Sequence, residues 1–181
     1  MKKLNLFILF AVFIQSIVFS QSCLPEGITF TTQAQIDSFQ VNYPGCTEIE
    51  GDLHIVGGII PPDSINSLNG LNTITKVNGD FTLYWMWQLT NLSGLENLVS
   101  VGGNFHIWSM VKLSDLSGIE NLDSLGGDFS IMSNKRILTL NALSNLHYIQ
   151  GNLSIIFMDS LNNLTGLDNI TSLSGGIGIR F

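Results

Sequence analysis

Charged residues are scarce in this chain. Only 12% of its 181 residues are charged, whereas a typical soluble domain carries about 25%. Basic residues are scarcer than acidic ones, with 7 Lys and Arg against 14 Asp and Glu. An acidic surface repels phosphate backbones, so the composition argues against nucleic-acid binding.

Long apolar runs are absent after residue 20, so no later segment is predicted to span a membrane. The N-terminus has Lys2 and Lys3 before an apolar stretch over residues 4–19, followed by small residues suited to signal-peptidase cleavage. This stretch is shorter than the roughly 20 residues of a spanning helix. We therefore predict a signal peptide over residues 1–20 and a mature chain that is secreted or displayed at the cell surface. The mature formal charge would be −9, from five basic and 14 acidic residues.

Cysteine is also rare, with only Cys23 and Cys46 in the chain. In an exported protein such a pair favours one disulfide. The alternative is lipidation of Cys23 after cleavage at Ser22. The preceding residues lack the apolar side chain that a lipidation signal needs, and lipidation would leave Cys46 as a free thiol. The sequence favours the disulfide.

Recognisable catalytic motifs are missing. The sequence has no nucleophile–base arrangement, phosphate-binding loop or zinc-ligand spacing. We predict no cofactor, no metal and no catalytic residues, and we expect the functional surface to lie in the repeats.

What the chain does contain is a repeat of 24 residues, which begins at Gly103 and again at Gly127. After each leading glycine comes an alternating apolar pair, such as Phe105 and Ile107, which is typical of a strand with one buried face. The leading glycines are Gly51, Gly79, Gly103, Gly127, Gly151 and Gly175. Six equivalent strands predict one parallel sheet, with neighbouring strands about 4.8 Å apart.

The second half of each repeat has an apolar residue at every third position, as in Leu113, Leu116, Ile119, Leu122 and Leu125. A spacing of three drifts around a helix of 3.6 residues per turn. We therefore predict short β or 3₁₀ segments at the corners of a tight coil. A leucine-rich-repeat horseshoe with helices on its convex side is the competing fold.

The two ends of the repeat array are predicted to differ. Residues 21–50 form an N-terminal cap, in which Thr32 and Gln35 predict a capping box and a short helix from Thr32 to Gln40. The solenoid then occupies residues 51–181. Because an apolar strand ends the sequence at Phe181, we expect truncation there, with further domains of the same protein beyond it.

One insertion and three aligned columns of residues refine this picture. The first repeat is four residues longer, since its leading glycines are 28 apart, which predicts a loop between Ile55 and Ile65. A second glycine column is interrupted by Ala142, so we predict that it requires small volume, whereas the uninterrupted leading glycines require an unusual backbone conformation. The aligned asparagines are predicted to be structural: Asn97, Asn121, Asn145 and Asn169.

The repeat pattern G-[DN]-[LF]-x-[IL] … L-x-x-L-x-G-L-x-N-L-x-x-[IL]-x-G, with the lead-in Tyr43-Pro44-Gly45-Cys46, resembles the receptor L-domain family. This family includes the ectodomain modules of insulin and EGF receptors and many secreted surface proteins of Bacteroidetes. The resemblance implies an all-β, right-handed β-helix-like, leucine-rich solenoid of about six coils, without a catalytic motif. Family repeats often carry asparagine where this chain has Asn134; Met86, Met110 and Met158 stand at the matching positions.

The outward face of the predicted sheet is the candidate ligand-binding surface. Exposed apolar and aromatic area often marks interaction sites, and flat rings suit sugars or protein partners. The alternative is that this stripe packs under a loop or a neighbouring domain. The candidate residues are His54, Tyr84, Trp85, His106, Trp108 and Met132.

Two chemical alternatives are weaker. His54 and His106 would lie two strands apart, about 10 Å, which is too far to share a metal. Asp52 and Asp80 would lie near the spacing of about 5 Å found in retaining glycosidases, but aspartate beside glycine is also typical of a turn into a strand. The sequence therefore predicts a non-enzymatic recognition or adhesion module for an unknown protein or glycan. A β-helix carbohydrate-active enzyme and a purely structural spacer are the alternatives.

Overall fold

The computed structural model describes residues 21–58 and 65–180. The predicted signal peptide, most of the predicted loop after Ile55 and Phe181 lie outside the described residues. No described helix is both long and apolar enough to cross a bilayer.

The strands that follow the leading glycines form one parallel sheet, here called the front sheet. All six predicted strands are present, and a seventh, Ile28–Phe30, precedes them in the cap. The strands are Ile28–Phe30, Leu53–Val56, Phe81–Tyr84, Phe105–Trp108, Phe129–Met132, Leu153–Ile156 and Ile177–Arg180. From Phe81 onwards, each residue pairs with the one 24 positions later, so every column of the sequence becomes a column on the sheet.

A second parallel sheet, the back sheet, closes each coil on its other side. Its seven strands are mostly two residues long: Gln21–Cys23, Cys46–Ile49, Lys76–Val77, Ser100–Val101, Ser124–Leu125, Tyr148–Ile149 and Ser172–Leu173. Short 3₁₀ turns occur at Asn69–Leu71 and Asn141–Leu143. The prediction of short β or 3₁₀ segments is confirmed, and the horseshoe with convex helices is wrong among the described residues.

The core is a continuous stack of side chains between the two sheets. The rings of Phe81, Phe105 and Phe129 lie one above another, with centroids 4.8 and 5.5 Å apart, and all three are fully buried. The residues at every third position of the corners, such as Leu113, Leu116 and Ile119, are also fully buried. Burial of a leucine side chain stabilises a fold by about 1.5–3 kcal/mol, so this stack is the main source of stability.

The N-terminal cap covers the first coil. Thr32 and Gln35 form the predicted capping box, and the helix runs over Gln33–Asp37 and then, after a break at Ser38, over Phe39–Asn42. Ile36 and Phe39 are fully buried against the first coils. A disulfide joins Cys23 to Cys46, as predicted, and so ties together the first two strands of the back sheet.

The small volume predicted for the second glycine column is confirmed, but the prediction of which column needs an unusual backbone conformation is wrong. Gly94, Gly118 and Gly166 have φ of +109°, +112° and +106°, so these three coils do require a left-handed backbone at this column, whereas Gly70 lies in a 3₁₀ turn without positive φ. Ala142 is tolerated because its coil forms a 3₁₀ turn at that position instead.

The leading glycines have no positive φ. They are needed because a Cβ would collide with the coil beneath, at 2.3 Å from Asp80 Oδ1 for Gly103 and 2.5 Å from Asn104 Oδ1 for Gly127. Small volume is therefore needed in both columns, whereas a positive φ occurs only in the second, where a Cβ at Gly118 would also lie 2.1 Å from the carbonyl oxygen of Leu92.

The aligned asparagines are structural, as predicted. Each side-chain amide donates a hydrogen bond to a backbone carbonyl of the preceding coil, at 2.7 Å for Asn97, Asn121 and Asn145 and at 2.6 Å for Asn169. Thr73 in the first coil replaces this bond with one from its hydroxyl to the carbonyl of Cys46. The column holds successive coils in register.

Candidate ligand-binding face

Four aromatic side chains meet on the outward side of the front sheet and form what we call the aromatic cluster: Tyr84, Trp85, His106 and Trp108. The ring centroids of Tyr84 and Trp85 lie 4.2 Å apart in a stacked arrangement. Trp108 contacts Tyr84 edge-on at 6.1 Å and His106 at 4.6 Å. Because neighbouring strands pair in register, residues 24 positions apart are brought side by side.

The aromatic cluster is partly exposed to solvent. Trp85 exposes 37% of its surface, and the nearby Trp87 exposes 42%. Tyr84, His106 and Trp108 are half-buried by one another and by the sheet. The stripe is therefore neither a second core nor buried beneath another described segment, and its rings remain available to a ligand.

A left-handed corner turns the chain at the end of four front strands, from Phe81–Tyr84 to Leu153–Ile156. Trp85, Ser109, Ser133 and Phe157 have φ between +55° and +58°. The corner lets two successive residues, Tyr84 and Trp85, both point outwards before the next residue turns into the core. Sequence reasoning missed this corner because none of the four residues is glycine, the residue expected at positive φ.

The next position after the left-handed corner faces the core. Met86, Met110 and Met158 are fully buried there, as is Asn134. The Asn134 side chain donates to the carbonyl of Ile107 at 2.7 Å and accepts from the backbone N–H of Met110 at 2.9 Å. The amide of Asn134 therefore fills this corner of the core in one coil, and methionine side chains fill it in the others.

A hydrogen bond fixes one member of the cluster, and burial shifts the pKa of another. The indole Nε1–H of Trp108 donates to Ser130 Oγ at 3.1 Å. Burial lowers the pKa of His106, an effect that the nearby charges of Asp80 and Asp128 partly oppose. The buried Nδ1 of His106 has no hydrogen-bond partner among the described residues.

The remaining predicted residues lie on the same face but differ in their surroundings. Met132 pairs with Trp108 on the adjacent strand and extends the cluster. His54 is separated from His106 by Thr82, and its Nε2 lies 3.8 Å from Asp52 Oδ2. No group of metal-binding side chains occurs within residues 21–58 and 65–180.

The aspartates considered for glycoside hydrolysis form a structural ladder. Asp52 Oδ1 accepts from the N–H of Asp80 at 2.8 Å, and Asp80 Oδ1 accepts from the N–H and side-chain amide of Asn104 at 2.7 and 3.1 Å. Asn104 and Asp128 continue the same contacts to the next coils. These side chains stabilise the turns that lead into the front strands. This is the structural role that aspartate beside glycine typically has.

Asp80→Asn should therefore change the free energy of unfolding by less than about 0.5 kcal/mol, because asparagine already fills this position in the coil of Asn104. Asp80→Ala should cost about 1–2 kcal/mol through the loss of two accepted hydrogen bonds. Denaturant titration of both variants measures the difference. Equal destabilisation by the two substitutions would show that the negative charge, and not the ladder, matters at Asp80.

Sequence reasoning also missed a group of basic residues beside the aromatic cluster. Lys112, Lys135 and Arg136 lie in the corner after the front strands, and we call these three residues the cationic corner. The signal was available, since Lys112 and Arg136 are 24 residues apart and so share a column. It was overlooked because the overall charge is strongly acidic.

Residues 45–122 match the family model described as Receptor L domain. The match supports the receptor L-domain family, whose members are ligand-binding modules and not enzymes. It spans the whole aromatic cluster but ends before Met132 and Arg136. No curated protein matches the chain.

Proposed function

We propose that this protein is an exported recognition or adhesion module, displayed at or released from the cell surface, that binds its ligand across the aromatic cluster. The observation that carries the proposal is the partial exposure of Tyr84, Trp85 and Trp108 as one contiguous group on a flat face. Large aromatic side chains are the groups most enriched at binding hot spots.

The fold supports recognition more than chemistry. The face is built on strands paired on both sides, so the rings are held by a rigid scaffold and little ordering entropy is lost on binding. The carboxylates considered for glycoside hydrolysis, Asp52 and Asp80, accept backbone hydrogen bonds. The match to a ligand-binding family and the disulfide, which is typical of exported proteins, agree with the proposal.

Replacing both Tyr84 and Trp108 by alanine should abolish most ligand binding, by roughly 100-fold or more for two hot-spot aromatics. The measurement is retention on arrays of glycans and of extracellular proteins, with circular dichroism to verify the fold. Tyr148→Ala is the matched control, because Tyr148 is an aromatic residue on the back sheet with 51% exposure. Tyr148→Ala should bind as the wild type does.

The proposal fails if the double variant stays folded and retains every ligand of the wild type. Loss of folding in the double variant would instead show that the cluster is part of the core. Single Trp85→Ala, at a more exposed position, then tests binding separately.

A further inference from the structure

The cationic corner is a concentration of positive charge on an otherwise acidic protein. The described residues include five basic side chains, and three of these, Lys112, Lys135 and Arg136, lie in this one corner. The whole chain has a formal charge of −7. The positive potential is therefore local, and it lies at one end of the front strands.

Two of the three charges are available to a ligand. Lys135 forms an ion pair with Asp159 at 3.1 Å. Lys112 is exposed and donates to the neutral side chain of Gln88 at 2.5 Å, while the exposed Arg136 forms no hydrogen bond or ion pair with any described residue. A guanidinium free of partners can bind a carboxylate or sulfate in a bidentate manner.

The cationic corner adjoins the aromatic cluster. Ser109 and Ser133 follow Trp108 and Met132 directly, and they line a shallow depression of about 300 Å³ together with Val111, Lys135 and Arg136. Gln88, which holds Lys112, lies in the same coil as Trp85 and Trp87. The depression therefore offers two hydroxyl groups, an apolar side chain and a guanidinium group, and it begins at the residue that follows Trp108.

We propose that the ligand is an acidic glycan, whose sugar rings stack on the aromatic cluster while its carboxylate or sulfate groups bind Lys112 and Arg136. This inference rests on the proposed function and names the class of its ligand. Rows of C–H groups on a pyranose ring suit the flat, partly exposed rings of Tyr84 and Trp108. The anionic substituents would be met by Lys112 and Arg136, which occupy the same column on neighbouring coils, where the backbones are about 4.8 Å apart.

An acidic protein segment fits this face less well. The strands that carry the aromatic cluster are hydrogen-bonded on both sides, so they offer no edge to which a peptide strand could add. A helical ligand would need an apolar groove, whereas the depression is shallow and lined in part by hydroxyl and basic groups.

The test is isothermal titration of the folded protein with two acidic probes, an oligogalacturonate hexamer and a chondroitin sulfate hexasaccharide. Maltohexaose and a polyglutamate peptide are the neutral-sugar and acidic-peptide comparisons. We expect at least one acidic sugar to bind, with affinity that falls as salt rises. In the double variant Lys112→Gln with Arg136→Gln, binding should weaken about 10-fold or more, since each removed charge makes a charge-assisted hydrogen bond.

Lys76→Gln is the matched control, because Lys76 is a basic residue on the back sheet, and its binding should equal that of the wild type. Failure of both acidic sugars to bind, or preference for polyglutamate, would overturn the inference. If maltohexaose binds as tightly and its binding depends on Tyr84 and Trp108 but not on Lys112 and Arg136, the proposed function stands and the acidic-glycan inference fails.

Discussion

Gly118→Ala should destabilise the solenoid by about 4 kcal/mol. Gly118 has a φ of +112°, which an alanine adopts only with strain of roughly 1–3 kcal/mol. An added Cβ would also lie 2.1 Å from the carbonyl oxygen of Leu92 in the preceding coil, and overpacking against backbone costs a further 1–3 kcal/mol or so. Denaturant titration followed by circular dichroism measures the loss.

Ala142→Gly is the control for this prediction, because Ala142 occupies the same column in a coil with a 3₁₀ turn. The substitution should cost only about 0.5–1 kcal/mol, through added chain entropy in the unfolded state. If Gly118→Ala cost no more than Ala142→Gly, the left-handed conformation and close contact assigned to this column would be wrong.

Asn134→Ala should have a similarly large effect, about 4 kcal/mol. The substitution leaves the N–H of Met110 and the carbonyl of Ile107 without their partner in the core, each at roughly 1–3 kcal/mol. It also removes side-chain volume from a fully buried position. The free energy of unfolding again provides the measurement.

Two further variants separate the contributions at this site. Asn134→Met restores volume, because methionine fills the same corner as Met86 and Met110, and should lose only the hydrogen-bond part of the effect. Asn97→Ala removes one exposed hydrogen bond and should cost about 1 kcal/mol. A wild-type stability for Asn134→Met would mean that packing alone stabilises this corner.

Much of the fold was predictable because residues 24 positions apart occupy equivalent places in successive coils. Alternation at Phe105 and Ile107 identified the front strands, and the three-residue spacing favoured short segments over long helices. The glycine columns were misassigned for a physical reason. Ala142 seemed to exclude positive φ, but a single coil can replace the left-handed turn with a 3₁₀ turn while keeping its apolar residues buried.

The candidate site was only partly predictable. Strand alternation placed Tyr84, His106 and Trp108 outside, but not their mutual contacts. Those contacts follow from the strand geometry and from the in-register pairing of neighbouring strands, whereas the contact of Tyr84 with Trp85 depends on the left-handed corner, which has no glycine to signal it. The position of the cationic corner was not predictable for the same reason. Its residues follow the left-handed corners at Ser109 and Ser133, beyond which the in-and-out alternation of the strand no longer holds.

Two of the three tryptophans of the chain, Trp85 and Trp108, belong to the aromatic cluster, and the third, Trp87, follows in the same coil as Trp85, so tryptophan emission reports mainly on the cluster. The most direct test of ligand binding here is therefore emission during titration with a ligand retained on the arrays. The proposed function predicts a saturable change in emission that is absent in the Tyr84→Ala, Trp108→Ala double variant. Tight binding that leaves the emission of the wild-type protein unchanged would contradict it.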